Sequence, residues 1–232
     1  MPGTGQQNKL IIRFCAAELR FEVCGKDKNL VSSNSLPAYF PELATEDLIR
    51  MLAGESAMQK QYDSVLALYE SDAYSFVPNA VFQADKAADL FYFQREAAKD
   101  SVVLFNRSDR WEMTALFSLP QKIKKALEYF GGISIEHHLH YFLNERLQTS
   151  KKQALHVCLR EHKMDVIALK NGKIQLINTY GFQTPEDFVY HVLHVFEGLA
   201  LDTETCPLLL YNAGERQDIW DLASGFVKIE LP

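Results

Sequence analysis

The sequence predicts an α/β protein with mixed sheets, built from two β-β-β-α-β units in tandem. Three observations carry this. First, residues 11–24, IIRFCAAELRFEVC, overlay residues 154–167, ALHVCLREHKMDVI, without a gap. Second, a turn and a third β-rich run follow each stretch, and then a Thr-led acidic helix start. Third, a short apolar run closes each unit, Leu66–Tyr69 in one and Leu208–Tyr211 in the other.

In the overlay Cys15 falls on Cys158, Glu18 on Glu161, Arg20 on Lys163, Phe21 on Met164, Glu22 on Asp165 and Val23 on Val166. A β-rich run, a polar bend and a second alternating run make a β-hairpin. The next turns are Lys26-Asp27-Lys28-Asn29 and Lys170-Asn171-Gly172-Lys173. Asn-Gly suits a type I′ turn because both residues tolerate positive φ. Third strands are expected at Leu30–Leu36 and Ile174–Tyr180.

Each helix is expected to open on a threonine cap, Thr45 before Glu46-Asp47 and Thr184 before Pro185-Glu186-Asp187. A threonine oxygen accepts orphan N–H groups, acids favour the positive helix end, and proline suits the first position. Phe188, Val192, Val195, Phe196 and Leu199 share one face of the second helix.

After its fourth strand the first unit predicts a run at Tyr74–Pro78 and strands at Leu90–Gln94, Ser101–Asn106 and Trp111–Ser118. A helix over Pro120–Phe130, a short strand at Ile133–Ile135 and a helix over His140–Leu147 complete it. The second unit ends with a helix near Glu215–Ala223 and a strand at Phe226–Leu231. The polar joint Gln148–Gln153 puts the boundary near 150, giving domains 8–150 and 151–232.

Composition narrows function by exclusion. Twenty-four Lys+Arg against 30 Asp+Glu leave a net charge of -6 with no long basic run, which argues against nucleic acid as a partner. No signal-peptide pattern and no apolar stretch long enough for a membrane span are visible, so a cytoplasmic location is expected. Cys15, Cys24, Cys158 and Cys206 form no C-x-x-C pair and read as core thiols.

Three antiparallel strands, a helix and a parallel fourth strand open a ribonuclease-H-like fold, and two in tandem resemble the actin-like ATPase fold. The stretch GKIQLINTYGFQTPEDFVYHVLHVFEGLALD, the Tyr74-Ser75-Phe76-Val77-Pro78 run and the element order are similar to an uncharacterised family of Bacteroidetes proteins, the domain of unknown function 3822 family. The resemblance spans nearly the whole chain. It implies an actin-like ATPase fold with no assigned activity, and it carries no catalytic residues.

That fold holds nucleotide phosphates in the first hairpin bend of each unit, usually with Asp-x-Gly: glycine admits backbone N–H groups and aspartate organises metal and water. The matching bends are Cys15-Ala16-Ala17-Glu18-Leu19 and Cys158-Leu159-Arg160-Glu161-His162. Neither contains glycine or an aspartate on its leading strand. Glu18 and Glu161 would supply carboxylates without an evident metal partner. The turn Tyr211-Asn212-Ala213-Gly214-Glu215 stands where such folds approach adenosine. Gly214, Glu215, Glu18 and Glu161 are therefore the candidate cofactor-binding residues, and no catalytic or metal residue is named.

Leu10–Phe14 and Leu155–Val157 lack the acid a two-metal nuclease needs. His137, His138 and His140 cluster, and His191 and His194 lie three apart, but no H-E-x-x-H or cysteine pair completes a zinc set. A surface or interfacial histidine run is the simpler expectation. Phe91-Tyr92-Phe93 reads as a buried strand, and the sequon Asn106-Arg107-Ser108 has no meaning without secretion.

The expectation is a non-catalytic binding or scaffold protein without cofactor, its partner a protein or peptide segment. Actin-like proteins of bacterial secretion and pilus assembly set the fold-level precedent. The alternative is a divergent nucleotide-binding switch or ATPase using ATP and Mg.

Overall fold

Alternating apolar side chains, punctuated by short polar bends, set the first sheet. The computed structural model describes residues 8–25, 27, 29–93, 95–147, 151–214 and 216–232. The chain divides into two compact units, Met1–Glu145 and Arg146–Pro232.

In the first unit β1 (Lys9–Phe14), β2 (Glu18–Cys24) and β3 (Leu30–Pro37) form an antiparallel meander. A short 3₁₀ turn at Phe40–Glu42 leads into α1 (Thr45–Gly54). The chain then returns as β4 (Ser64–Tyr69), parallel to β1 with Phe14 beside Tyr69. Beyond β4 come β5 (Tyr74–Pro78), a 3₁₀ turn at Ala84–Lys86, α2 (Ala87–Tyr92), β6 (Ser101–Ser108) and β7 (Met113–Pro120). The unit ends with α3 (Gln121–Phe130), β8 (Ile133–His137), α4 (His138–Tyr141) and a π turn from Phe142. The main sheet runs β3-β2-β1-β4-β8, and a smaller one runs β5-β7-β6.

The second unit repeats the order with β9 (Ala154–Arg160), β10 (Lys163–Lys170), β11 (Lys173–Gly181), α5 (Pro185–Gly198) and β12 (Leu208–Tyr211). It closes with α6 (Gln217–Ala223) and β13 (Ile229–Glu230). Its sheet runs β11-β10-β9-β12-β13. Leu155, Val157, Met164, Val166 and Leu210 pack beneath Phe188, Val192 and Phe196 of α5, the apolar face its spacing foretells.

Local rules explain most boundaries. Asn171 and Gly172 have φ of 55° and 73°, as the β10–β11 type I′ turn requires. Thr184 Oγ1 accepts from Asp187 N at 3.2 Å, and Asp187 Oδ2 accepts from Thr184 N at 3.1 Å, a complete capping box. Asn106 binds the outer edge of β8: its amide donates to Ile135 O at 3.0 Å and accepts from His137 N at 2.8 Å. The side chain of the sequon is thus engaged within the fold.

Several expectations need correction. The strand over Leu90–Gln94 is instead the helix α2, with Gln94 outside the described residues. Ala87 and Phe91 are buried one helical turn apart while Phe93 is 84% exposed, so the period is that of a helix and Phe93 is not core. Thr45 is the first residue of α1 and Ala44 its cap, with Ala44 N donating to Asp47 Oδ2 at 3.2 Å. The last strand shrinks to Ile229–Glu230, because Phe226 and Val227 still close the turn after α6 by donating to Ala223 O. The Lys26–Asn29 turn falls partly outside the described residues.

Candidate functional site

The bend after β1 is short and closed by its own backbone. Cys15 N donates to Glu18 O at 3.0 Å, and Ala38 N donates to Ala17 O at 2.9 Å. No glycine occupies it, so methyl groups of Ala16 and Ala17 stand where a phosphate would need bare backbone. Glu18 lies at the start of β2 and pairs with Arg20. Burial pushes the Cys15 thiol up to about 12, with the charge of Glu70 adding to it, so this is an unreactive sulfur.

The second bend is tighter than expected. β9 continues through Arg160, so Cys158, Leu159 and Arg160 belong to the strand and the turn proper is Glu161-His162. Cys158 stands beside Tyr211 of the parallel strand β12. Its sulfur accepts from Asn212 Nδ2 at 3.1 Å. Asn212 and Gly214 both take left-handed φ, 55° and 54°, and Arg216 N donates to Ala213 O at 2.9 Å to close the turn before α6.

The structure thus brings the Gly214 turn against β9 at the carboxyl end of parallel strands, where ligands of open α/β sheets sit. A side chain at Gly214 would meet open space, but its φ is one that only glycine adopts cheaply. Glu161 lies on the neighbouring hairpin turn, exposed. Glu18 belongs to the other unit, and Glu215 falls outside the described residues.

The charged constellation the sequence did not announce lies within β9–β11. Asp165, fully buried in mid-β10, accepts from Arg160 Nε at 2.7 Å and Nη2 at 2.8 Å. The Thr179 hydroxyl donates to its Oδ1 at 2.7 Å. An acid inside KMDVIALK, otherwise apolar between its two terminal lysines, is the signal that could have found it. Arg160 and Thr179 thus engage the carboxylate within the fold.

The histidines also depart from expectation. His137 and His138 are buried, not a surface run. His137 Nε2 lies 2.9 Å from Ser71 O and its ring packs on Tyr74 and Phe117. His140 bridges Glu136 at 2.9 Å and the Arg107 carbonyl at 3.2 Å. On α5, His191 stacks on Tyr180 at 4.8 Å between centroids, and His194 stacks on Tyr190 at 6.2 Å. His162, Gly181, Phe182, Gln183, Asp187 and His191 line an open groove of about 810 Å³ in the second unit. Among the described residues no three His, Cys, Asp or Glu side chains converge as a metal set, and no helix is long and apolar enough to cross a membrane.

Tandem mixed sheets, each with three antiparallel strands, a crossover helix and a parallel fourth strand, define a protein of the actin-like ATPase fold. A Bacteroides thetaiotaomicron protein with that fold and unknown function superposes with a TM-score of 0.79 at 16% identity, over 98% of this chain and 91% of the other. The PilM-PilN type IV pilus biogenesis complex supplies a second neighbour, TM-score 0.60 at 12% identity, over 98% of this chain and 89% of that one. The chain belongs to the family DUF3822, proteins of unknown function, whose pattern spans residues 2–229. No curated protein matches it.

Proposed function

We propose that this chain is a non-catalytic binding or scaffold protein whose actin-like fold carries a degenerate nucleotide site and docks a protein or peptide segment. One observation carries the reading: both hairpin bends lack the glycine and aspartate that phosphate and metal require. The first offers Ala16, Ala17 and a Glu18 already paired with Arg20. The second offers Glu161-His162, and the nearby buried carboxylate, Asp165, is filled by Arg160 and Thr179. The fold neighbour PilM is seen in complex with PilN, which makes docking of a partner a natural use of such a scaffold. The units, residues 8–150 and 151–232, are read as copies of one β-β-β-α-β ancestor working in the cytoplasm. On that reading the copies have drifted: the hairpin overlay matches Cys15 with Cys158 and the fourth-strand overlay matches Tyr69 with Tyr211, yet Phe14, not Cys15, stands beside Tyr69.

The left-handed Asn212-Ala213-Gly214 turn favours a second reading, a divergent nucleotide-binding switch. Thermal unfolding with and without millimolar MgATP or MgADP separates the two. Ligand at 100 times its dissociation constant adds about 2.7 kcal/mol, a midpoint rise of roughly 5–10 °C at this size. An unchanged midpoint is expected. A clear rise promotes the switch, and Gly214→Val should then abolish it.

A further inference from the structure

The strand β3 is the outer edge of the first unit's main sheet, and seven of its eight residues are exposed. Its sequence, LVSSNSLP, contains no charge. Edge strands are usually blunted with lysine, glutamate, proline or a bulge, because free N–H and C=O groups recruit another strand. Here the blunting sits only at the ends. The pairing with β2 shifts between Val23 and Cys24, which leaves Val31 as a bulge, and Pro37 closes the other end.

The run between them has a defined polarity. Ala38 N donates to Ala17 O, and residues of β3 pair with β2 so that Leu19 meets Leu36, Phe21 meets Asn34 and Val23 meets Ser32. Hydrogen-bonded pairs alternate along an antiparallel ladder, so Asn34 and Leu36 bond inward to β2. Ser33 and Ser35 therefore turn both N–H and C=O outward.

We propose that β3 is a self-association edge whose occupant is β3 of a second copy of this chain, antiparallel about a two-fold axis at Asn34. In that register Ser33 meets Ser35 of the other copy and Ser35 meets Ser33, so every outward group between the bulge and Pro37 finds a partner. Asn34 meets Asn34; each amide already donates one N–H to Glu55 Oε2 of its own chain at 2.9 Å and keeps its second N–H and its carbonyl oxygen for the other copy. No like charges meet along the strand, although the chain as a whole carries -6. The same surface serves both copies, as a two-fold interface demands.

Sedimentation of the full chain over a concentration series tests this. The average mass should rise from 26.5 kDa toward twice that value. Ser35→Pro and Ser33→Pro each remove an outward donor without touching the β2 ladder. Each should weaken association by at least about tenfold while leaving the melting midpoint in place at dilutions where the chain is monomeric. Asn34→Cys should form an intermolecular disulfide far faster than Ser32→Cys under mild oxidation, since residues at the axis lie about 4.5 Å apart between Cα atoms. If either substitution unfolds the chain, the other and the cross-linking decide. A chain that stays at 26.5 kDa, a dimer that ignores both substitutions, or an edge that instead captures a foreign segment overturns the proposal.

Discussion

Arg160 holds Asp165 in a two-point grip, Nε to Oδ2 at 2.7 Å and Nη2 to Oδ1 at 2.8 Å, with Asp165 wholly buried and Arg160 nearly so. Removing one partner of such a pair strands a charge away from water. Arg160→Leu should lower unfolding free energy by about 3–5 kcal/mol. Asp165→Asn, which keeps an acceptor for Thr179, should be milder. Urea unfolding of both variants checks the order, and equal losses would contradict it.

His156 gives the acid sensitivity. It is fully buried, its Nδ1 lies 3.0 Å from the Tyr211 hydroxyl, and its Nε2 has no partner. Burial lowers its pKa from 6.5 to about 4. The unfolded chain therefore binds a proton first, and stability contributed by the neutral ring is present above pH 6.5 and lost as pH falls toward 4. The full loss is about 3 kcal/mol. His156→Phe should flatten the stability profile between these limits relative to the wild type, measured by denaturant titration at several pH values.

The two threonines at the helix starts should behave differently. Thr184→Ala removes the oxygen that accepts from Asp187 N and should destabilise by about 1 kcal/mol. Thr45 is the first residue inside α1 and Ala44 its cap, so Thr45→Ala should change stability by less than about 0.5 kcal/mol. Parallel melting curves settle the contrast.

Neighbouring phenylalanines make a similar pair. Phe91→Ala opens a cavity beside Ala87 and Leu116 and should lose about 3–5 kcal/mol. Phe93→Ser, on the exposed side, should be neutral within about 0.5 kcal/mol.

The strands and their order were legible because period-2 patterning and turn residues act locally. Asn171-Gly172 fixed one hairpin, and Thr184-Pro185 fixed one helix start. The run Leu90–Gln94 misled because five residues cannot distinguish alternation from one helical turn; Ala87, outside that window, holds the answer. For the site, the missing glycine and aspartate were readable in the bends themselves. The Asp165 network was not, because Arg160 and Thr179 reach it from the two flanking strands and only register brings them together. Burial of His137 likewise depends on packing partners, Tyr74 and Phe117, far away in sequence.

Asn106 has a consequence for assembly. By occupying Ile135 O and His137 N it blocks the carboxyl half of the β8 edge, so that among the described residues β3 is the more open end of the first unit's main sheet. A sheet blocked along one edge is extended more readily at the other. Copies that meet through β3 consume each other's growing ends and form a dead-end pair, whereas a sheet open at both sides would add copies without limit and grow into a fibre. On that proposal one asparagine side chain helps keep the assembly to a pair.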